Sequence, residues 1–290
     1  AAPLGDLVAD PAGILDLPSG FSYQVLQRVG DPMTDGFNAP AAPDGMACFS
    51  GTDGSWVVMR NHEIHEGSPV DAALGFADDR GGGVTRLVVD RASGTLRSSN
   101  FVLTGTSRNC AGGPSPYGWL SCEEVDESGH GFVFLCDVSA SELQAPHRLP
   151  ALGRFSHEAA AFDAKTGITY LTEDTSDSAI YRHVPNHTTR PFVGGELQAL
   201  KVSGKDRFML SEGRKVDEAF NVEWVSVHDS QALKASTRDQ AHNAGAAFFS
   251  RGEGAWLADH HVYLCSTDGG PTRRGQLYRL DISSGGEDRL

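Results

Sequence analysis

Short runs of alternating apolar and polar residues recur along the chain, broken by Gly, Pro, Asn and Asp, which is the pattern of half-buried strands separated by turns. The pattern predicts strands at 21–27 (F-S-Y-Q-V-L-Q), from Asp44-Gly45-Met46 through Phe49, and over W-V-V-M-R, which ends at Asn61-His62-Glu63. Residues 64–82 read as loop. Two hairpin-like stretches follow, 83–90 with 95–103 and 117–122 with 131–137. Residues 156–163, 168–174 and 179–185 read as three strands in series. The stretch 203–243 is polar, with 222–227 its best strand and a helical turn or two around 230–242. Strands at 244–251, 254–258, 261–267 and 275–281 close the chain.

Roughly 16 to 18 short strands, no long amphipathic helix and turn signals between strands predict an all-β fold: sandwich, barrel or propeller. The phrases V-V-D-R-A-S-G-T-L, A-F-D-A-K-T-G-I-T-Y-L-T and G-A-W-L-A-D-H-H-V-Y-L-C-S-T share a strand, a polar turn and a strand, which favours a propeller. Four strands per blade gives five blades, with six as the alternative, in one domain over 1–290 preceded by an arm at 1–19. The strand at 21–27 is expected to complete the last sheet and close the ring, because closure removes exposed edges.

The chain has 290 residues, 34 of them Gly, and a formal net charge of -14. That charge argues against nucleic acid or an anionic membrane as partner and suits a protein that holds hard cations through carboxylates. No run of 18 apolar residues is present, so no membrane-spanning helix is expected. Ala1-Ala2-Pro3 resembles what a signal peptidase leaves, although a cloning boundary would look the same. Five Cys leave at least one outside an intramolecular disulfide. Cys122 and Cys136 lie equidistant from Gly129, so they could meet across a hairpin as a disulfide or as two packed thiols.

The densest chemistry lies in G-T-S-R-N-C-A-G-G-P-S-P-Y-G-W-L-S-C-E-E (105–124). Cys110 reads as lying on a tight loop, and the following strand delivers Glu123 and Glu124; a thiol brought to carboxylates suggests a metal site. Acids sit beside His or Arg at other strand ends: Arg60-Asn61-His62-Glu63, Arg154-Phe155-Ser156-His157-Glu158, Thr172-Glu173-Asp174, Arg251-Gly252-Glu253, and more weakly Thr267-Asp268-Gly269. Taken singly these are ordinary turns or surface pairs; strand ends from separate blades, however, converge at an axial channel mouth and make a cation site easy to build. Arg251 offers fixed donors to phosphate oxygens, or forms a salt bridge to Glu253 or Asp268. No G-x-S-x-G elbow, H-E-x-x-H helix or P-loop is present.

N-C-A-G-G-P-S-P-Y-G-W-L-S-C-E-E resembles the signature of the PhoX-type alkaline phosphatases, as do G-R-F-S-H-E-A-A, Y-L-T-E-D with I-Y-R-H-V-P, F-S-R-G-E-G-A-W and S-T-D-G-G with G-Q-L-Y. The resemblance is collinear from about Pro18 to Asp281. It implies a propeller exported by the twin-arginine route to the periplasm or medium, with a centre of calcium (Ca2+) and iron (Fe3+) ions and a bridging oxide, hydrolysing phosphomonoesters. Carried across, Cys110 would bind iron, Glu124, Glu158 and Glu253 would bind metal, and Arg251 would hold the phosphate or leaving-group oxygen. Asn61, Glu63, Asn109, Glu123, Glu173 and Asp268 are further candidate contacts. The chain departs from the family pattern in its shorter length and in Gly105–Arg108, which offers no acid before the Cys; one calcium position is therefore in question. A monomer acting on a small phosphate ester is expected. The rival readings are a calcium propeller hydrolase acting on lactones or phosphotriesters without the thiolate, and a calcium-stabilised binding propeller with a decayed site.

Overall fold

The computed structural model describes residues 5–212, 214–282 and 288–290; the Ala1-Ala2-Pro3 start lies outside them. A hairpin of β1 (Leu7–Val8) and β2 (Leu17–Pro18) comes first. The first large sheet is β3 (Pro43–Ser50), β4 (Ser55–His62), β5 (Gly82–Asp90) and β6 (Leu96–Thr106). The second is β7 (Asn109–Ser115), β8 (Gly118–Glu123) and β9 (Val133–Cys136). The third is β10 (His157–Phe162), β11 (Thr169–Glu173), β12 (Tyr181–Pro185), β13 (Gly195–Val202) and β14 (Val222–Ser226). The fourth is β15 (Gly252–Ala258), β16 (His261–Ser266) and β17 (Gln276–Asp281). Each is an antiparallel meander whose strands neighbour in chain order. The one α-helix among the described residues, α1 (Thr237–Asn243), is capped by Ser236, whose side chain accepts from the Asp239 N–H.

The opening strands pack in series: β3 against β7, β7 against β10, β10 against β15. Small residues make that approach possible. A Cβ on Gly113 of β7 would overlap the Ala160 carbonyl of β10, and one on Gly45 of β3 would lie 2.7 Å from the Cys110 carbonyl oxygen. Each junction of neighbouring sheets has its own core. Met59, Val84, Leu103, Trp119 and Phe134 fill the first, Leu120, Val133, Phe155, Leu171 and Tyr181 the second, and Tyr170, Leu200, Phe249, Val262 and Leu280 the third. No such cluster joins the fourth sheet to the first among the described residues.

Several expectations change. Residues 21–27 form no strand: they are largely exposed, and the Tyr23 hydroxyl donates at 2.6 Å to Asp10, whose carboxylate also caps the turn after it. The alternating run therefore does not complete the last sheet. Residues 244–251 contain only isolated bridges, at Phe248 and Phe249. Instead, Arg289 bridges both Asp281 at the end of β17 and Asn221 beside β14, tying the last two sheets together. Cys110, expected on a loop, lies in β7. Cys122 pairs with Val133 and Cys136 with Trp119, because the hairpin turns between Glu127 and Ser128 rather than at Gly129. Three positions apart on the ladder, the two thiols face different cores, and both are free.

Candidate metal centre

The same local device opens all four meanders. Pro43 pairs with His62 and then Met46 with Arg60; Asn109 with Glu123 and Gly112 with Ser121; His157 with Glu173 and Ala160 with Leu171; Gly252 with Ser266 and Ala255 with Leu264. Each first strand thus fits two residues against one, a β-bulge that re-aims its first extra side chain. Those four residues are Asp44, Cys110, Glu158 and Glu253. The residue following each second strand is Glu63, Glu124, Asp174 or Thr267. Its N–H donates to the carbonyl just before the first strand: Glu63 to Ala42 at 2.9 Å, Glu124 to Arg108 at 3.0 Å, Asp174 to Ser156 at 3.2 Å and Thr267 to Arg251 at 3.2 Å. Four copies of one backbone frame therefore present two side chains each.

The side chains converge. Ligand atoms of Cys110, Glu124 and Glu158 lie within 4.8 Å of one another, as do those of Asp44, Glu63 and Cys110. The Cys110 Sγ is 3.6 Å from Glu158 Oε1 and 3.8 Å from Asp44 Oδ2. Glu158 is only 5% exposed, and burial followed by repulsion from Glu253 and Glu124 raises its pKa to about 8. Burial raises Glu124 to about 7, against the pull of Arg108. Asp44 is raised by burial and by Glu63, Glu253 by burial and by Asp174, and the Cys110 thiol by burial and by Glu158. Carboxylates and a thiol held close and charge-starved are the donor set a cation would relieve: the oxygens suit calcium, and the sulfur suits a softer transition metal. The residues present thus fit the metals.

Two arginines border the cluster, both in left-handed backbone, Arg108 and Arg251 each at φ 47°. For a residue with a Cβ this costs about 1–2 kcal/mol, strain that clusters at functional sites. Arg251 makes a two-pronged pair with Asp174 (Nε–Oδ1 2.8 Å, Nη2–Oδ2 2.6 Å) and reaches Glu253 Oε1 at 3.2 Å. Arg108 donates through Nη2 to Glu63 Oε1 at 2.6 Å and to Glu124 Oε2 at 2.9 Å. A cleft of about 420 Å³ opens beside them, lined by His65, Arg108, Glu124, Ser156, Asp174 and Thr175 among others. A larger cavity of about 690 Å³, lined by Tyr170, Arg182 and Trp224, shares no lining residue with the cluster.

The family model for alkaline phosphatase PhoX matches residues 3–100 and 89–285. The chain belongs to the alkaline phosphatase PhoX family. It is therefore a phosphoric monoester hydrolase by family. Among solved structures, Pseudomonas fluorescens PhoX in complex with vanadate, a transition state analogue, matches with a TM-score of 0.66 and 18% identity, over 94% of this chain and 72% of that one. At that identity the likeness speaks for the fold. No curated protein matches the chain.

Within this PhoX-family chain the candidates from sequence divide. Cys110, Glu124, Glu158 and Glu63 meet in the cluster; Glu253 and Arg251 border it. The others sit behind it as support. Asn61 donates to the Cys110 and Ala111 carbonyls at 3.0 and 2.7 Å, and its Oδ1 accepts from Trp119 and Ser121. Asn109 bonds Thr106 and Ser121. Glu123 is buried and accepts from three backbone N–H groups, of Ser107, Gly131 and Phe132, and pairs with His130. Glu173 is held by Tyr181 and Arg238, and Asp268 by Ser250 and Arg273. Sequence reading left Asp44 and Asp174 out of the candidate set. The bulge is what aims Asp44, and its partial signal is the recurring pair of a site residue and a small one: D-G, C-A, E-A, E-G. Asp174 follows Glu173, and the strand end alone does not say which of two adjacent acids faces the cluster.

Proposed function

We propose that this chain is an exported, metal-dependent phosphatase that hydrolyses phosphomonoesters at the Cys110–Glu124–Glu158 centre. The observation that carries the reading is the convergence of Asp44, Cys110 and Glu158, one from each of three sheets, with Glu63 and Glu124 beside them. Cys110, Glu124 and Glu158, with Asp44, Glu63 and Glu253, would hold the ions, iron at the sulfur and calcium at the oxygens. When bound, the ions supply Lewis acidity, neutralising phosphoryl oxygens and acidifying water.

The chain's own residues do the rest. Asp174 fixes the Arg251 guanidinium, whose Nη1 makes no protein hydrogen bond among the described residues and is free to receive a phosphoryl or leaving-group oxygen. Glu253 and Thr267 hold the other flank, with Thr267 Oγ1 donating to Glu253 Oε1 at 3.2 Å. The partly buried setting of the centre lowers the local dielectric and so strengthens the attraction of the Arg251 guanidinium for a dianionic substrate. Four equivalent meanders facing one point support a propeller in one domain, with the centre at its axis. No described helix is long and apolar enough to cross a membrane. Export by the twin-arginine route and a monomeric state complete the reading.

Hydrolysis of a chromogenic phosphomonoester, measured on protein purified without chelator and after chelation, tests it. Turnover lost on chelation and restored by calcium, with iron near one per chain, is expected. Absence of turnover under every metal condition would sink it, and calcium without iron would favour a lactone or phosphotriester hydrolase or a binding protein.

A further inference from the structure

Arg108 and Arg251 occupy the same place in their two sheets, immediately before the first strand, yet they bind differently. Each N–H donates to the carbonyl two residues past the preceding sheet's second strand, Arg108 to Ile64 at 3.0 Å and Arg251 to Thr175 at 2.8 Å. Each side chain then reaches the carboxylate just before that carbonyl, Glu63 or Asp174. Arg251 grips Asp174 with both Nε and Nη2, and the same Nη2 reaches on to Glu253. Arg108 uses Nη2 alone, between Glu63 and Glu124, and its Nε is buried with no partner. A side chain that bridges two carboxylates through one nitrogen acts as a point charge, which is how a small cation would act there.

Those two carboxylates belong to different groups of converging ligands, Glu63 with Asp44 and Cys110, Glu124 with Cys110 and Glu158. Arg108 therefore ties both halves of the cluster. Its charge is fixed in the chain and is not lost to a chelator. Across the cluster, six carboxylates (Asp44, Glu63, Glu124, Glu158, Asp174 and Glu253) face only two guanidinium groups, so each positive charge the protein supplies lowers the demand for ions.

Resting on the metal reading above, we propose that Arg108 is a resident cation of the centre: it fills the place between Glu63 and Glu124 that would otherwise take a divalent ion. Calcium affinity is set largely by the number of charged oxygens free to coordinate, and Arg108 withholds two of them. Arg108 is a positioning residue, holding Glu63 and Glu124 in register without entering the reaction.

The test compares wild type, Arg108→Gln and Arg108→Lys, each chelated, re-equilibrated with calcium alone and dialysed. Elemental analysis gives ions per chain, calorimetric titration gives affinity, and circular dichroism checks the fold. Freeing two carboxylates should let Arg108→Gln bind about one additional calcium per chain, or bind calcium at least about tenfold more tightly. Arg108→Lys keeps the charge and should match wild type. A purely structural arginine would not separate Lys from Gln in this way. Equal, non-zero calcium content and affinity in all three proteins overturns the proposal and leaves the metal reading standing. No calcium in any of the three overturns both. Should Arg108→Gln not fold, Arg108→Lys with calcium content above wild type also overturns it, since charge would then not be the determinant.

Discussion

Two corners of this protein share one backbone plan and differ in chemistry. At the first, between the first and second sheets, Asn61 donates to the carbonyl of Cys110, while Arg108 reaches back to Glu63. At the second, between the third and fourth, Thr172 donates to the carbonyl of Glu253 at 2.6 Å, while Arg251 reaches back to Asp174. The bulge, the left-handed arginine and the reciprocal backbone hydrogen bond are the same in both. What changes is the pair of presented side chains: Cys110 with Glu124 at one corner, Glu253 with Thr267 at the other. The frame is set by backbone bonding and small residues, and the donor set by two exchangeable positions. A thiol with a half-buried acid makes a soft, strongly charged corner; an acid with a hydroxyl makes a harder and weaker one.

The comparison breaks most visibly in catalysis. Arg251→Ala is expected to lower kcat/KM by about 10²–10³-fold with the fold intact, the scale for losing one positioned donor to a developing charge. Arg251→Lys should recover little, because a point charge cannot reproduce the fork on Asp174. Cys110→Ala should abolish iron content and turnover together, whereas Glu253→Ala should abolish turnover and keep iron. Elemental analysis alongside steady-state kinetics separates the corners, and iron retained in Cys110→Ala would show the soft assignment to be mistaken.

The next effect is on stability. Asn61→Ala deletes four hydrogen bonds in a buried place and should cost about 3 kcal/mol in denaturant unfolding. Thr172→Val at the equivalent place removes two, from the Ala159 N–H and to Glu253 O, and should cost about 1–2 kcal/mol. Equal costs would mean the two staples carry equal load.

The smallest expected effect is the pH dependence of the chelated protein. Glu158 at about 8, with Glu124 and Glu173 at about 7, binds protons more readily folded than unfolded. Stability contributed by these protonated acids is present at low pH and is lost as pH rises through those values. His62, His157 and His183, depressed by burial to about 4, 3 and 4, act oppositely, but only below about pH 6.5. The melting temperature without metal should therefore fall by a few degrees between about pH 6.5 and 8.5. Calcium should flatten or reverse the slope, since it takes the place of those protons.

Much of this was legible in the chain. Strands such as β5, β11 and β16 stand out between turn signals, β16 burying every second residue, and Cys110, the Glu123-Glu124 pair and Glu158 stood out by their chemistry, with the family resemblance choosing Glu124. The misreadings have physical causes. N-C-A-G-G-P-S is depleted in strand formers, yet it is β7, because Gly113 lets two sheets touch where a side chain would not fit. G-E-L-Q-A-L-K-V, which no pattern singled out as a strand, is mostly made of residues that favour helix at least as much as strand, yet pairing with β12 and β14 on both sides makes it β13. Residues 21–27 alternate without any strand beside them to pair with. Asp44 read only as the entry to a strand, because its role depends on a bulge, which two neighbouring strands define together and neither encodes alone.

The one-residue-per-sheet placement of Asp44, Cys110, Glu158 and Glu253 also sets the order of events during folding. Until the last meander docks, the proposed centre would lack Glu253, so tight capture of metal would be a late step that certifies the finished assembly. Ions held by Asp44, Glu63 and Cys110 and by Cys110, Glu124 and Glu158 would link three sheets through side chains more than one hundred residues apart in the chain, and their release rate would set a ceiling on the unfolding rate of the whole molecule.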